Sequence, residues 1–441
     1  MKLSGWGNLH PQDCHLSRPR DLTALRDALR SGPVIARGNG RAYGDSALAL
    51  GGTLDMRGLN RMLAFDSATG QLVAEAGVLL SEVIEVFLPR GWFPIVTPGT
   101  RHVTLGGMVA SDVHGKNHHL DGGFGGCIDW IELLDAAGDV RRISRNEGAA
   151  LFRATIGGMG LTGIILRLAF RLRRVESGWV LQETIATPDL DATIDAFEAH
   201  HAAPYSVAWI DCLSRGERLG RSLLTLGRHA ALADLSQSQR RAPFWPAEKR
   251  RLSFPFPAPG FALNRHSVAG FNALYYEKGR RNRGQALVSW ESYFYPLDAI
   301  AHWNRMYGRR GFLQYQCVLP LDAARHGLRA LLEATSEAGL GSFLAVLKRL
   351  GPEGEGMLSF PMEGYTLALD FPNTPRTLPL LRALEGITLA HRGRHYLTKD
   401  AVLCAEQLRA SDPRVEAFAA LRRDSGMAAR FASLQSERLS L

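Results

Sequence analysis

The sequence predicts an α+β fold in two domains, followed by a helical C-terminal segment. The chain has 441 residues, which is enough for two or three hydrophobic cores. Residues 1–177 combine short strands, short helices and clustered glycines, whereas residues 178–393 mix longer alternating strands with amphipathic helices. We therefore predict domains over 1–177 and 178–393, with residues 394–441 returning to the first domain.

The first domain begins with a predicted amphipathic helix over residues 20–31 and a strand, PVIA, over 33–36. The loop ARGNGRAYG (36–44) follows, and its glycines do not have the G-x-G-x-x-G spacing of a dinucleotide-binding turn. No helix continues after it, because the chain breaks at Gly51 and Gly52. The loop is typical of a phosphate site, but the Rossmann context is missing.

The rest of the first domain alternates strands and helices. We expect strands at 53–56 and 71–77, a helix over 78–91 that ends at Gly91, and a β-hairpin in WIELLDAAGDVRRIS (130–144). A short helix, a glycine-rich turn and a long strand should follow over 146–175.

The second domain contains four apolar segments that alternate in hydrophobicity and two segments with helical periodicity. Such a mixture predicts a sheet covered by helices on one face. The predicted strands are WVLQETIA (179–186), YSVAWIDCL (205–213), QALVSWESYFYPL (285–297) and FLQYQCVLP (312–320), and the predicted helices are 189–201 and 321–339. The segment from about residue 395 is also predicted to be helical.

The net charge of +9 favours an anionic partner. No apolar run is long enough to span a bilayer, and the N-terminus lacks the apolar core of a signal peptide, so we expect a cytoplasmic protein. Its five scattered cysteines argue against a disulfide framework. The segment 239–284 is rich in arginine, proline and aromatic residues; a solvated loop, a lid, a membrane-surface contact and nucleic-acid binding all remain open for it.

Glycines concentrate in three clusters, at 38–44, 97–126 and 157–163. Glycine is needed where the backbone takes a positive φ or approaches a ligand closely, and successive N–H groups in such loops form anion-binding nests. A large ligand with a diphosphate, threaded between the loops, explains all three clusters better than three unrelated turns.

The run HGKNHH (114–119) raises the question of a metal site. It is flanked by glycine, is not expected to be helical, and has no second ligand cluster elsewhere. We favour a polar loop at the edge of a cofactor, with Lys116 facing an anion, and we predict no metal.

Longer motifs resemble one flavoprotein family. RGNGRAYGDSA, TPGTRHVTLGGMVASDVHGKNHH and GGMGLTGII follow in the order found in vanillyl-alcohol-oxidase type (PCMH-type) FAD-binding domains. FLQYQ, FLAVLKRLG, LALDF and YLTKD make the chain most similar to the decaprenylphosphoryl-β-D-ribose 2-oxidase family. The resemblance covers nearly the whole chain and implies an FAD-binding domain followed by a substrate domain of antiparallel sheet covered by helices.

The resemblance also implies the residues that bind FAD. The first loop would wrap the diphosphate, residues 98–125 would line the flavin ring and ribityl chain, and Ile164 with its neighbours would flank the adenine side. Because the first loop has no histidine, FAD should be bound non-covalently. The implied cofactor-binding residues are Arg37, Gly38, Asn39, Gly40, Arg41, Ala42, Tyr43, Pro98, Gly99, Thr100, Thr104, Gly106, Gly107, Ala110, Ser111, His114, Gly115, Asn117, His118, Gly160, Gly163, Ile164 and Tyr396.

By the same resemblance, Lys399 would orient the substrate hydroxyl and balance negative charge on the reduced flavin, with His114 and Tyr396 as the other catalytic residues. A lysine within the apolar strand FLAVLKRLG is unusual, so Lys348 should face the site. The implied substrate-binding residues are Tyr43, Lys116, Tyr295, Gln314, Gln316, Lys348, Asp370 and Lys399.

The implied reaction is FAD-dependent oxidation of the ribose 2-hydroxyl of a polyprenyl-phosphoryl-β-D-ribose to the 2-keto sugar. An NAD(P)H-dependent short-chain reductase would complete the conversion to the arabinose epimer. The implied setting is peripheral contact with the inner face of the cytoplasmic membrane, without nucleic acid. The alternatives are a soluble sugar, alditol or aldonolactone oxidase, and a basic membrane- or nucleic-acid-binding protein that retains the fold. Prenyl length, electron acceptor, oligomeric state, final product and membrane side stay open.

One position departs from the family pattern. In mycobacterial members the LALDF strand carries a cysteine that covalent nitroaromatic inhibitors attack, and Ala368 stands there in this chain. The resemblance therefore implies sugar oxidation without covalent capture.

Overall fold

A computed structural model describes residues 1–9, 11–246, 252–254, 257, 259, 263–342 and 344–441. Two antiparallel sheets organise these residues, with a small parallel sheet beside the first. Part of the basic segment 239–284 that the sequence singled out, namely 247–251, 255, 256, 258 and 260–262, lies outside the described residues.

The first sheet comes entirely from the first 174 residues. Its strands, in spatial order, are Val140–Ser144, Ile128–Leu134, Ile164–Arg174, Gln71–Glu75 and Met62–Asp66, and Trp92–Pro94 also pairs with Ile164–Arg174. The predicted hairpin is confirmed, since Val140 lies opposite Leu134. Helix Leu80–Phe87 buries its apolar side against this sheet, which places Val83, Ile84 and Phe87 in one core with Leu168 and Phe170.

A small parallel sheet precedes the first glycine loop. Its strands are Leu16–Ser17, Thr53–Asp55 and Ile35–Arg37, and helix Leu22–Ser31 packs beside it. The side chain of Asp21 caps this helix by accepting a hydrogen bond from the amide of Ala24 (2.8 Å). The loop of residues 38–44 therefore leaves the end of a short buried strand.

The second sheet has eight strands. In spatial order they are Gly284–Ser289, Trp179–Thr187, Ser222–His229, Tyr205–Ile210, Val346–Leu350, Gly364–Pro372, Phe312–Pro320 and Arg394–His395. Helices Leu190–Ala199, Leu321–Ala338 and Thr377–Ala390 cover one face, in a core with the inward residues of the strands. Strand alternation turns the other face, with Gln314 and Gln316, towards the first sheet.

The remaining helices are mostly short. They are Leu105–Ala110, His118–Asp121, Ala149–Thr155, Gln237–Arg240, Arg265–Arg281, Trp290–Phe294, Ala405–Ser411, Arg414–Asp424 and Leu434–Leu439. The helices after residue 404 share a core with Ala154 and Leu161 of the N-terminal part. Two-residue strands pair Lys2–Leu3 with Gln12–Asp13 and Leu252–Ser253 with Ile300–Ala301.

Two local predictions were wrong. The predicted strand 285–297 ends at Ser289, because the Ser289 hydroxyl caps helix Trp290–Phe294 by accepting from the amide of Ser292 (3.2 Å). The run HGKNHH is not wholly a polar loop, since His118 and His119 are buried in helix His118–Asp121. Within the described parts of the chain, no helix combines the length and apolarity that crossing a membrane requires.

Candidate active site

A cavity of about 1100 Å³ lies between the two large sheets. One wall is built from the loops of the N-terminal half, and all three glycine clusters contribute to it. The other wall is the uncovered face of the second sheet, together with residues 396–399. The volume and the convergence of polar groups are those of a large ligand site.

The first glycine loop approaches its neighbours so closely that side chains are excluded. A Cβ on Gly38 would lie 2.2 Å from the Thr104 hydroxyl oxygen, and Gly40 has a φ of +63°. A Cβ on Gly44 would lie 2.1 Å from the carbonyl oxygen of Asp400. Among the described residues, the amides at 39–42 donate no hydrogen bond, so the loop presents free N–H groups as an anion-binding nest does.

A second loop supports the first. The Asn39 side chain donates to the carbonyl oxygen of His102 (2.8 Å). Thr104 caps the short helix Leu105–Ala110 by accepting from the amide of Gly107 (3.2 Å). Gly106 packs so tightly on Ala76 that a Cβ would lie 2.9 Å from its methyl group. These contacts hold the second glycine cluster against the first.

The polar floor of the cavity contains three lysines, of which Lys399 lies nearest to a buried carboxylate, Asp370. The Lys399 ammonium lies 3.9 Å from the ring centroid of Tyr43. Gln314 donates to the carboxylate of Asp370, which is 1% exposed. Burial raises the pKa of Asp370, although Gln314 and Lys399 oppose the shift. Burial lowers the pKa of Lys399, and Asp370 opposes that shift.

Lys348 and Lys116 also line the floor, and the pKa values of both ammonium groups are lowered. Burial, reinforced by the charge of Lys399, lowers the pKa of Lys348 to about 7. Burial, reinforced by Lys348, lowers the pKa of Lys116 to about 7. Lys116 donates to the carbonyl oxygen of Tyr293 and lies 4.2 Å from the centroid of its ring. An anion entering the cavity would restore full charge on both lysines.

His114 and Tyr396 lie together on one side of this floor. The Gln316 amide nitrogen lies 3.2 Å from His114 Nε2 and donates to it, which assigns the ring proton to Nδ1. His114 Nδ1 has no hydrogen-bond partner among the described residues, and burial holds the pKa of His114 well below its usual value. The Tyr396 hydroxyl donates to the carbonyl oxygen of Ser111 (3.1 Å), and its ring stacks on Phe360.

Most residues singled out from the sequence line this one cavity, although they come from distant parts of the chain. They are Gly38, Asn39, Gly40, Arg41, Ala42, Tyr43, Pro98, Gly99, Thr100, Thr104, Gly106, Gly107, Ala110, Ser111, His114, Gly115, Lys116, Gly160, Gly163, Gln314, Gln316, Lys348, Asp370, Tyr396 and Lys399.

Five residues do not line the cavity. The Arg37 guanidinium donates to the carbonyl oxygen of Ser4 (2.8 Å) and lines a separate crevice behind the loop. Ile164 begins strand Ile164–Arg174, and its side chain points into the core around Leu25. Because side chains alternate along a strand, the neighbouring Ile165 faces the cavity instead.

The other three residues are fully buried and partnered by protein groups. Asn117 donates to the carbonyl oxygen of Ile95 (2.8 Å), and His118 Nδ1 accepts from the amide of Gly351 (3.1 Å). Tyr295 is 0% exposed, and its hydroxyl is hydrogen-bonded to Thr97. These contacts make all three supports of the cavity wall rather than direct ligand contacts.

Sequence reasoning missed several cavity residues. Trp6 lines the cavity and carries the Arg41 guanidinium 4.0 Å from its ring centroid. Thr366 does not line the cavity itself, but it accepts a hydrogen bond from Gln316, which does (3.1 Å). Helix Arg265–Arg281 contributes Phe271 and Tyr275 to the cavity mouth. Their i, i+4 spacing was a usable signal, whereas nothing local marked Trp6 or Thr366.

Comparisons with known proteins agree with this geometry. Residues 19–144 match a family model described as an FAD-binding domain. The decaprenylphosphoryl-β-D-ribose oxidase of Mycolicibacterium smegmatis is 36% identical over 455 residues, covering 100% of this chain and 97% of that protein. This chain belongs to the decaprenylphosphoryl-β-D-ribose oxidase family. It is accordingly an FAD-dependent oxidoreductase with a vanillyl-alcohol-oxidase type FAD-binding domain.

Two more distant relatives match only part of the chain. L-Gulonolactone oxidase of Bos taurus is 27% identical and covers 42% of each chain. Cytokinin dehydrogenase 9 of Oryza sativa subsp. japonica is 29% identical and covers 30% of this chain and 26% of its own.

The residues present fit FAD. The free amides at 39–42 suit a diphosphate, and the glycines of the second cluster leave one side of the cavity open to a flat ring. The Nε of Arg41 and the Oε1 of Gln314 are buried without a hydrogen-bond partner among the described residues. Unsatisfied buried polar atoms of this kind call for a partner that the chain itself does not supply.

Proposed function

We propose that this protein oxidises the ribose 2-hydroxyl of a polyprenyl-phosphoryl-β-D-ribose to a ketone. The observation that carries the proposal is the composition of one cavity. Its floor holds Lys116, Lys348 and Lys399 around a buried polar cluster, and aromatic residues line its mouth. Cations suit the phosphate, the polar cluster suits the sugar, and the apolar mouth suits the start of a prenyl chain.

The reaction removes a hydride from C2 and a proton from the 2-hydroxyl, leaving a carbonyl. FAD, when bound, supplies the hydride acceptor. In this proposal the pair formed by Lys399 and Asp370 orients the hydroxyl and takes up its proton. Their burial brings both pKa values towards neutrality, where such exchange is most effective.

The remaining catalytic and substrate contacts follow from the same floor. Lys116 and Lys348 hold the phosphate, and Gln316 reaches the sugar while fixing the tautomer of His114. His114 Nδ1–H, which has no acceptor among the residues that the structure describes, is a donor available to the substrate on this side of the site. Tyr396 flanks the cofactor, with its ring fixed by Phe360.

FAD is held non-covalently in this proposal. The first loop has Arg41, Ala42 and Tyr43 where relatives with covalent FAD carry the linking histidine. Denaturation should therefore release all the flavin into the supernatant and leave a polypeptide of unmodified mass. A protein mass increased by one FAD would contradict this part.

Contact with a membrane surface is also part of the proposal. Helix Arg265–Arg281 exposes Phe271, Leu274 and Tyr275 beside basic residues, which suits peripheral contact with the inner face of the cytoplasmic membrane. A short-chain reductase using NADH or NADPH would consume the ketone. The proposed domain boundaries are residues 1–177, 178–393 and 394–441. Co-sedimentation with anionic vesicles tests the membrane contact.

The alternative predicted from the sequence, a soluble sugar or aldonolactone oxidase, is not favoured by the full-length similarity to a decaprenylphosphoryl-β-D-ribose oxidase. Product analysis separates the two. After turnover with a polyprenyl-phosphoryl ribose, reduction with borodeuteride should introduce deuterium at C2 of the sugar. Absence of deuterium there, with turnover of a free sugar or aldonolactone, would favour the alternative.

A further inference from the structure

The C-terminal helix Leu434–Leu439 reaches the back of the candidate active site through one side chain. The Arg438 guanidinium binds both carboxylate oxygens of Asp45, at 2.8 and 3.1 Å. It also donates to Asp400 Oδ2 at 2.9 Å and to the carbonyl oxygen of Leu403. Arg438 therefore bridges two carboxylates, Asp45 and Asp400, that are far apart in the sequence.

Each carboxylate adjoins a functional segment. Asp45 directly follows the loop of residues 38–44, and Asp400 directly follows Lys399. The two backbones also touch, because the amide of Tyr43 donates to the carbonyl oxygen of Thr398 (3.0 Å). The close approach of Gly44 to Asp400 marks the same contact. The position of Lys399 is thus tied to the position of the glycine loop.

The charges explain why a guanidinium is needed. The Asp400 side chain is only 7% exposed, so its charge is poorly screened by solvent. Burial opposes the charge of Arg438, but the hydrogen bonds and charges of Asp45 and Asp400 outweigh it and raise the pKa of Arg438. Without Arg438, two carboxylates would face each other across the contact between loop and turn, and like charges repel.

We propose that Arg438 is a positioning residue that fixes the loop of residues 38–44 against the turn carrying Lys399. This inference rests on the roles proposed above for Lys399 and the loop. It predicts that one remote side chain controls both FAD retention and turnover.

The test compares Arg438→Gln with Arg409→Gln. Arg409 anchors the same helix by donating to the carbonyl oxygens of Leu439 (3.0 Å) and Ser440 (2.9 Å), and its carboxylate partner is Glu416 rather than Asp45 or Asp400. For R438Q we expect weaker FAD binding and about a tenfold or greater loss of kcat, as misplacement of a reacting group produces, with little change in KM. R409Q should lower only the melting temperature. Equal effects of the two variants on FAD binding and kcat would overturn the inference.

A second variant separates charge repulsion from loss of packing. The substitution Asp400→Asn removes the negative charge of Asp400. It keeps the Oδ1 atom that accepts hydrogen bonds from the amides of Val402 (2.9 Å) and Leu403 (2.8 Å). R438Q/D400N should therefore recover part of the kcat lost in R438Q, and no recovery would contradict the repulsion argument. If R438Q does not fold, R438K replaces it. A single ammonium cannot bridge both carboxylates as a guanidinium does, so R438K should lose part of the FAD affinity and part of kcat. Wild-type FAD affinity and kcat in R438K would overturn the inference.

FAD retention is measured without substrate, so it remains a test of Arg438 whatever the substrate is. Failure of the wild-type protein to oxidise a polyprenyl-phosphoryl ribose would instead count against the proposed function.

Discussion

At the residue scale, Lys399 is the side chain on which the proposed chemistry depends most. It contacts the Tyr43 ring, its pKa is influenced by the charge of Asp370, and it lines the cavity proposed to bind FAD. Lys399→Met should lower kcat at least about 100-fold, since a positioned acid–base group contributes that much or more. FAD binding should survive, because the glycine loop is intact. Stopped-flow reduction of the flavin measures the loss, and a rate within a few-fold of wild type would exclude the role.

The second residue-scale prediction concerns the stability cost of Lys348. Its pKa of about 7 lies below that of a lysine in the unfolded chain, so the unfolded chain binds more protons between about pH 7 and 10.5. Stability therefore rises with pH across that window, and the full penalty of the buried charge applies below about pH 7. Lys348→Met should stabilise the substrate-free protein at pH 7 by on the order of 1 to 4 kcal/mol, with a smaller gain near pH 10.

Thermal unfolding of wild type and K348M at several pH values gives this difference directly. A gain that stays constant between pH 7 and 10 would show that Lys348 is uncharged or well paired throughout. The same variant should bind a phosphate-bearing substrate more weakly.

Ala368 supplies a third prediction at this scale. It lines the cavity on strand Gly364–Pro372, directly opposite Gln316. The wild-type protein should form no adduct with a covalent nitroaromatic inhibitor, whereas Ala368→Cys should gain the mass of one inhibitor under turnover. Intact-protein mass spectrometry distinguishes these cases, and an adduct on the wild-type chain would show that another group reacts.

The sequence predicted which residues gather in the site better than it predicted their orientation. Lys348 stood out because a lysine in an apolar strand needs a reason to be there, and the uncovered face of the sheet supplies that reason. Ile164 faces the core and its neighbour Ile165 faces the cavity, an alternation whose phase could not be read from the sequence alone. Tyr295 was misplaced because its partner, Thr97, is distant in the chain.

At the element scale, the loop of residues 38–44 works only if it can lie against the Lys399 turn. Gly44→Ala would place a Cβ 2.1 Å from the backbone oxygen of Asp400, and backbone cannot rotate away as a side chain can. We expect about tenfold weaker FAD binding, equivalent to about 1.4 kcal/mol. Gly386→Ala is the matched control, because nothing lies within 4 Å of its Cβ in the exposed part of helix Thr377–Ala390.

The control should leave FAD affinity unchanged and stabilise the helix by about 0.5 to 1 kcal/mol. Fluorescence titration of the apoprotein with FAD compares the two variants. Equal affinities would mean that the loop and the turn can separate without consequence.

Elements with local signals were predictable. The hairpin Ile128–Leu134 and Val140–Ser144 has a turn sequence between apolar strands, and helix Leu22–Ser31 has Asp21 as its cap. The short helix Trp290–Phe294 was missed because its aromatic, apolar sequence also suits a strand, and only the Ser289 cap favours the helix. The burial of His118 and His119 depends on partners such as Gly351 and Ala203, which local patterns do not reveal.

At the scale of the whole molecule, the site exists because two sheets from successive parts of the chain face each other. The first sheet and its loops supply the glycine-rich wall, and the second supplies the polar wall on the face that its helices leave uncovered. The C-terminal helices then pack against the N-terminal part and bring Arg438 to Asp45 and Asp400, which adjoin the first glycine loop and Lys399. The order of the glycine motifs indicated the first wall, but only the long-range pairing of strands shows how the second closes it.

The most direct test of this account is anaerobic reduction of the bound flavin by a polyprenyl-phosphoryl-β-D-ribose. The visible absorbance of the flavin measures this reduction. The matched control is the same lipid-linked sugar with hydrogen in place of the 2-hydroxyl. The account predicts that the ribose compound bleaches the flavin and that the 2-deoxy compound leaves it oxidised. Bleaching by both compounds, or by neither, would contradict oxidation at the ribose 2-hydroxyl.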